Sequence, residues 1–159
     1  NHINYFIKEY EGRYEYRLLD EEDFDACLAL VQEWTSNKEE NGQIDEEMEE
    51  ELIGIKKLFE NYSVLKDKLK IAGIFIDGKL EAFTMGEYIN PDMALIHIEK
   101  ANPSIRGLYP FINQQFLVHE FSDVEFVNRE EDLGIEGLRK AKLSYHPVRF
   151  VEKYTVREV

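Results

Sequence analysis

Leu69-Lys70-Ile71-Ala72-Gly73-Ile74-Phe75-Ile76, then Asp77-Gly78, then Lys79-Leu80-Glu81-Ala82-Phe83-Thr84-Met85-Gly86-Glu87-Tyr88-Ile89: two apolar-rich segments stand on either side of an Asp-Gly pair. A two-residue Asp-Gly loop takes the positive-φ turn that matches strand twist, so this stretch reads as an antiparallel hairpin. Asn90-Pro91-Asp92 makes the next turn, and Met93 to Lys100 alternates apolar and polar residues as a third consecutive strand.

Ahead of the hairpin, Tyr14 to Leu19 reads as a short strand. Asp20 caps a helix that runs to about Trp34, with Asp23 in the capping-box position and an apolar face at Phe24, Cys27, Leu28 and Val31. Asn37 to Gly42 is expected to be a loop. Met48, Leu52, Ile55, Phe59 and Tyr62 place a second amphipathic helix over Asp45 to Tyr62. After the third strand, Ala101 to Tyr109 is a loop. A helix carrying Ile112, Phe116 and Leu117 begins near Pro110, because proline suits a first helical turn and disrupts an interior. Val124 to Asn128 is a strand, Leu133 to Ser144 a helix and Val148 to Val156 a last strand. The order predicts an α/β chain of the α+β type: a mixed, mostly antiparallel sheet flanked by helices on both faces.

The chain has 159 residues, enough for a single domain with its own core. Its apolar runs fall far short of the roughly 20 residues that cross a bilayer, and its N-terminus has no signal-peptide pattern. A lone cysteine, Cys27, on an apolar helix face excludes an internal disulfide and reads as packing. Together these features point to a cytoplasmic protein. The chain opens at Asn1 in a polar and aromatic stretch without a clear period, and 1–13 reads as a lead-in. Tyr5, Phe6, Tyr10 and Tyr14 show no stripe, which predicts an apolar surface that a missing segment would cover. The isolated domain is then expected to form a homodimer through it.

The formal net charge is −14, and it is unevenly spread: residues 1 to 62 carry six Lys/Arg against eighteen Asp/Glu, whereas 134 to 159 carry six against three. An anionic ligand should therefore meet the C-terminal third, and the overall charge disfavours a polyanion such as tRNA. His2, His119 and His146 lack metal-ligand spacing, and the acidic run Asp45 to Glu51 lacks the pattern of a calcium loop, so no metal is expected. Hydrolase triads and phosphate-binding Walker loops are likewise not matched.

Ile96-His97-Ile98-Glu99-Lys100-Ala101, Arg106-Gly107-Leu108-Tyr109 with Ile112-Asn113, and Asn128-Arg129-Glu130-Glu131-Asp132-Leu133-Gly134 through Gly137 to Pro147 resemble an uncharacterised bacterial family grouped with the C-terminal domain of phosphatidylglycerol lysyltransferases. Asn1-His2-Ile3-Asn4 is similar to the start of that family's second half. The resemblance implies the GNAT acyltransferase fold, two such halves in one polypeptide with this chain as the second, and a missing N-terminal GNAT-like half as partner. It implies transfer of an acyl or aminoacyl group from acyl-CoA or aminoacyl-tRNA to an amine or hydroxyl of a small molecule, lipid or peptide. The alternative is a non-catalytic binding or scaffolding half.

Acyl transfer needs a base, donors for the developing oxyanion and an acid for the leaving group. On Met93 to Lys100, strict alternation would put Leu95, His97 and Glu99 on one face, pairing an imidazole with a carboxylate. A cross-strand pair that only fastens the sheet is the other reading. The loop Ser104, Arg106, Gly107, Leu108, Tyr109 leads into a helix start, where backbone N–H groups can hold an anion. By the resemblance this is where GNAT enzymes grip the pyrophosphate of acyl-CoA through two glycines one residue apart; here Gly107 stands and Tyr109 replaces the second. Arg139 and Lys142, near the C-terminal turn of the last helix, are candidates for holding negative charge, with Asn128 to orient substrate. Ala141-Lys142-Leu143-Ser144-Tyr145 is similar to a Phe-Lys-x-x-Phe pattern with both aromatic positions altered. Tyr145 stands where GNAT enzymes often place the acid for the leaving group.

Overall fold

The computed structural model describes residues 1–40 and 46–129. The hairpin is as the Asp-Gly pair dictates: β2 (Lys70–Ile76) and β3 (Lys79–Asn90) are antiparallel, with Asp77 at φ 51° and Gly78 at φ 83°. β1 (Tyr14–Leu18) adds antiparallel to β2, β4 (Met93–Ala101) antiparallel to β3, and β5 (Phe126–Asn128) parallel to β4. The sheet order is β1-β2-β3-β4-β5, so the strands that follow one another in sequence also lie side by side.

Alternation along the strands builds two cores. On one face Ile71, Leu80, Phe83 and Met85 pack under α2 (Phe24–Glu40) and α3 (Glu46–Glu60), meeting Cys27, Leu30, Val31 and Ile55. On the other face Ile74, Ile76, Ala82 and Ala101 meet Phe6 of α1 (His2–Glu9) and Leu108, Phe111 and Ile112 of α5 (Leu108–Glu120). Ala72, Ala94 and Ile96 extend that second core towards Phe116 and Phe121. A single-turn helix, α4 (Tyr62–Leu65), leads into β2. Gly86 lets α5 lie close on the sheet, since a Cβ there would reach 3.0 Å from Phe116 Cε2 and 2.9 Å from the Leu95 carbonyl oxygen.

Two sequence expectations change. The lead-in at 1–13 contains a helix. Asn1 caps α1, its side chain accepting from the amides of Ile3 and Asn4. Phe6 is fully buried, with ring centroids 5.0, 5.5 and 4.7 Å from Tyr10, Tyr14 and Phe111. Phe6, Tyr10 and Tyr14, expected to need an outside cover, are therefore covered largely by α5 and by one another, although Tyr5 stays exposed. Helix α2 runs on to Glu40 through part of the expected loop, consistent with the helix-forming Lys38, Glu39 and Glu40. The Asp20 cap and its reciprocal box with Asp23 are present, opening a short 3-10 turn, Glu21–Asp23, ahead of α2. Helix α5 starts two residues before Pro110, which leaves the proline in its first turn. The expected helix at Leu133 to Ser144 and strand at Val148 to Val156 lie outside the described residues.

Candidate functional site

The centre of the site is β4, and one irregularity decides which way its side chains point. Met85 pairs with Ile98 and Gly86 with Ile96, so His97 is an extra residue opposite β3, a bulge. Ile96 packs with Phe116 and Phe121 on the α5 side, whereas Ile98 packs against the α2/α3 core. Strict alternation from Leu95 through Glu99 is thus broken, and the expected common face of His97 and Glu99 is corrected. His97 turns to the α2/α3 side, its Nε2 3.1 Å from Oε1 of Glu87 on β3. Lys100 shares that side, with its ammonium 2.7 Å from Glu51 and 4.5 Å from the centroid of the Trp34 ring.

Glu99 faces the other way, opposite the buried Thr84 in the ladder. Beyond the last β4–β5 pair, Leu95 with Asn128, the two strands are joined by side chains: Arg129 Nη1 donates to Glu99 Oε2 at 2.6 Å. The Glu99 side chain is 14% exposed, and its second oxygen, Oε1, is buried and accepts no hydrogen bond among the described residues. Burial raises the Glu99 pKa above the ordinary glutamate value, and the opposing pull of Arg129 does not cancel it. The result is a carboxyl group with one oxygen fixed by a guanidinium and the other buried without a partner among the described residues, set where β4 and β5 part company.

The loop before α5 is tied to the sheet. Asn102 donates through its side chain to Glu81 Oε2 (3.0 Å) and accepts on Oδ1 from the amide and hydroxyl of Ser104 (3.0 and 2.7 Å). Arg106 points to α1: its Nε donates to Nδ1 of His2 (3.1 Å) and its guanidinium lies 4.3 Å from the centroid of Tyr5. Gly107, at φ 84°, is the N-cap of α5; Leu108 is buried in the second core and Tyr109 packs against it. The structure therefore brings Glu99 and Arg129 together, with Asn128 adjacent in sequence, and places His97 on the opposite face from Glu99. Arg106 and Gly107 sit at the junction with α1, and Ser104 is held by Asn102. Arg139, Lys142 and Tyr145 lie outside the described residues.

Residues 1–157 match the family model described as "Phosphatidylglycerol lysyltransferase, C-terminal". The chain belongs to this family. A conserved protein of unknown function from Bacteroides thetaiotaomicron is 39% identical in its solved structure, with a TM-score of 0.81 over 94% of this chain and 49% of that one. An uncharacterized protein of Mycoplasmoides gallisepticum is 24% identical over the whole chain and 49% of its own length. This member of the lysyltransferase C-terminal family thus spans about half the length of the curated relative it matches. The PaiA N-acetyltransferase of Thermoplasma acidophilum, solved with coenzyme A, is 16% identical with a TM-score of 0.55 over 84% of this chain and 87% of that one; that likeness shows the shared GNAT fold.

Two residues of the site escape a reading by motif. Arg129 was visible only as part of a longer resembling stretch, although a basic residue just past a strand parallel to the one bearing Glu99 is a usable signal. Glu87 was hidden because its partnership with His97 follows from the bulge. Among the described residues no group of three or more His, Cys, Asp or Glu could hold a metal ion, and no helix is long and apolar enough to cross a membrane.

Proposed function

We infer that this GNAT-fold domain belongs to an acyltransferase-type protein that moves an acyl or aminoacyl group from an activated donor to an amine or hydroxyl, with Glu99 as the base. The observation that carries this is the Glu99–Arg129 pair. Arg129 fixes one carboxylate oxygen, burial raises the proton affinity of the group, and Oε1, buried and without another hydrogen bond among the described residues, is the oxygen that takes the nucleophile's proton once substrate opens a path to it. In the step, the nucleophile gives its proton to Glu99 Oε1 as it attacks the donor carbonyl. The bond to the leaving group then breaks, and that group takes a proton, a role assigned to Tyr145. Asn128 would orient substrate and Arg139 and Lys142 would hold negative charge on the donor side. The acceptor is a small molecule, lipid or peptide, and the setting is cytoplasmic.

Glu99→Gln tests the reading, since it keeps the shape of the side chain and removes its basicity. The variant should unfold at a similar temperature and lose roughly 10²–10⁴-fold in transfer, the usual share of a general base. Transfer at the wild-type rate would overturn the role of Glu99. The second reading, a binding or scaffolding half whose companion does the chemistry, is favoured by the chain's spanning 49% of the curated relative. Loss of transfer from a companion-containing protein on Glu99→Gln separates the two, because a scaffold does not need that proton acceptor.

A further inference from the structure

An anion bound at a helix start needs backbone N–H groups that nothing else uses and room for its oxygens to reach them. Around the start of α5 much of both has been taken up within the chain. The Ser104 amide donates to Asn102 Oδ1, the Ile105 amide to the Asn102 carbonyl (3.2 Å) and the Leu108 amide to the Ile105 carbonyl (3.3 Å). Pro110 has no N–H to offer.

The space is occupied as well. A Cβ built on Gly107 would overlap the carbonyl of His2 and come within 3.1 Å of Phe6 Cβ, so the glycine admits the backbone of α1 where a ligand's approach would also require it. Arg106, the one basic residue of the 102–107 loop, is turned onto His2 and Tyr5. Glu81, 9% exposed, holds the loop through Asn102 and brings a carboxylate beside it, which repels phosphate. Tyr109 supplies a side chain where the second glycine of a pyrophosphate grip would stand.

We propose that the α5 N-terminus of this chain is closed to a pyrophosphate, that α1 takes the place, and that acyl-CoA is not the donor read there. The donor is one whose recognition needs no pyrophosphate on α5. The inference rests on packing and hydrogen bonding, and it stands whether or not Glu99 acts as a base.

Calorimetric titration of the 159-residue chain with CoA, acetyl-CoA and inorganic pyrophosphate tests it, alongside a CoA-binding acetyltransferase of the same fold and with cooperative thermal unfolding as the check on the sample. The expected result is no saturable heat at concentrations that saturate the control, and amide exchange across 104–111 unchanged by ligand. Saturable binding that Arg106→Ala weakens by about tenfold or more, a loss of about 1.4 kcal/mol, overturns the proposal. So does any slowing of exchange across 104–111 on adding CoA. Saturable binding that leaves exchange there unchanged and is indifferent to Arg106→Ala puts the nucleotide elsewhere and upholds the closure.

Discussion

Glu99 and Cys27 show burial raising the pKa of two ionisable side chains, one with a cation against it and one in an apolar core. The Glu99 carboxyl is desolvated but keeps a guanidinium on one oxygen; burial outweighs that pull and holds its pKa above the ordinary glutamate range. A base works deprotonated. Transfer should therefore begin to fall, as pH drops, at a higher pH than the roughly 4.3 of a free glutamate, and Glu99→Gln should erase that acid limb along with most of the rate. A pH–rate profile of wild type and variant checks this, and an acid limb unchanged in Glu99→Gln assigns the titration to another group. Among the described residues no such cation stands beside Cys27. It is fully buried in the α2/α3 core, and desolvation pushes its thiol pKa up to about 12. A disulfide-exchange reagent at neutral pH should leave it untouched in the folded protein and label it at the rate of unfolding; rapid labelling of the native chain would contradict its placement.

Among the elements, α1 is the one whose contribution its sequence conceals. Ile3, Phe6 and Tyr10 share a stripe only once the helix is granted, and eight residues give too few turns for the period to stand out. Phe6→Ala would remove a ring touching Tyr10, Tyr14 and Phe111 and should cost about 3–5 kcal/mol, read as a lower denaturation midpoint at constant m-value. A cost under about 1 kcal/mol would mean that α1 adds little to the core. The β2–β3 hairpin and the Asp20 cap were legible because each depends on neighbours in sequence: Asp77-Gly78 carries its own turn, and Asp20 reaches Asp23 three residues on. The site was legible only in part. Glu99 could be picked out by residue type, but its partner Arg129 lies 30 residues away and becomes a neighbour only when β5 is laid parallel to β4. The direction of His97 depends on a strand irregularity that no short pattern encodes.

For the molecule as a whole, a net charge of −14 with most of the acid excess in the first 62 residues means that folding gathers like charges. Salt screens such repulsion, with a Debye length of about 10 Å at 0.1 M, so the melting temperature should rise as sodium chloride is added from low ionic strength. A scanning-calorimetry series showing a steady fall would instead mean that ion pairs such as Arg17–Asp23 and Lys100–Glu51 outweigh the repulsion. The inserted residue in β4 has a different kind of reach. It stands outside the alternation: Ala94 and Ile96 serve the α5 layer, and with His97 absorbed by the bulge Ile98 takes the α2 layer and Glu99 returns to α5. Replacing His97 leaves the phase alone, so His97→Ala should cost no more than about 1 kcal/mol, the scale of a partly exposed pair. Deleting His97 removes the bulge and puts Ile96 next to Ile98, so each remaining residue of β4 keeps its face. The shortened chain should therefore still melt cooperatively, and a lost cooperative melt would mean that the fold needs the bend and twist of the bulge itself.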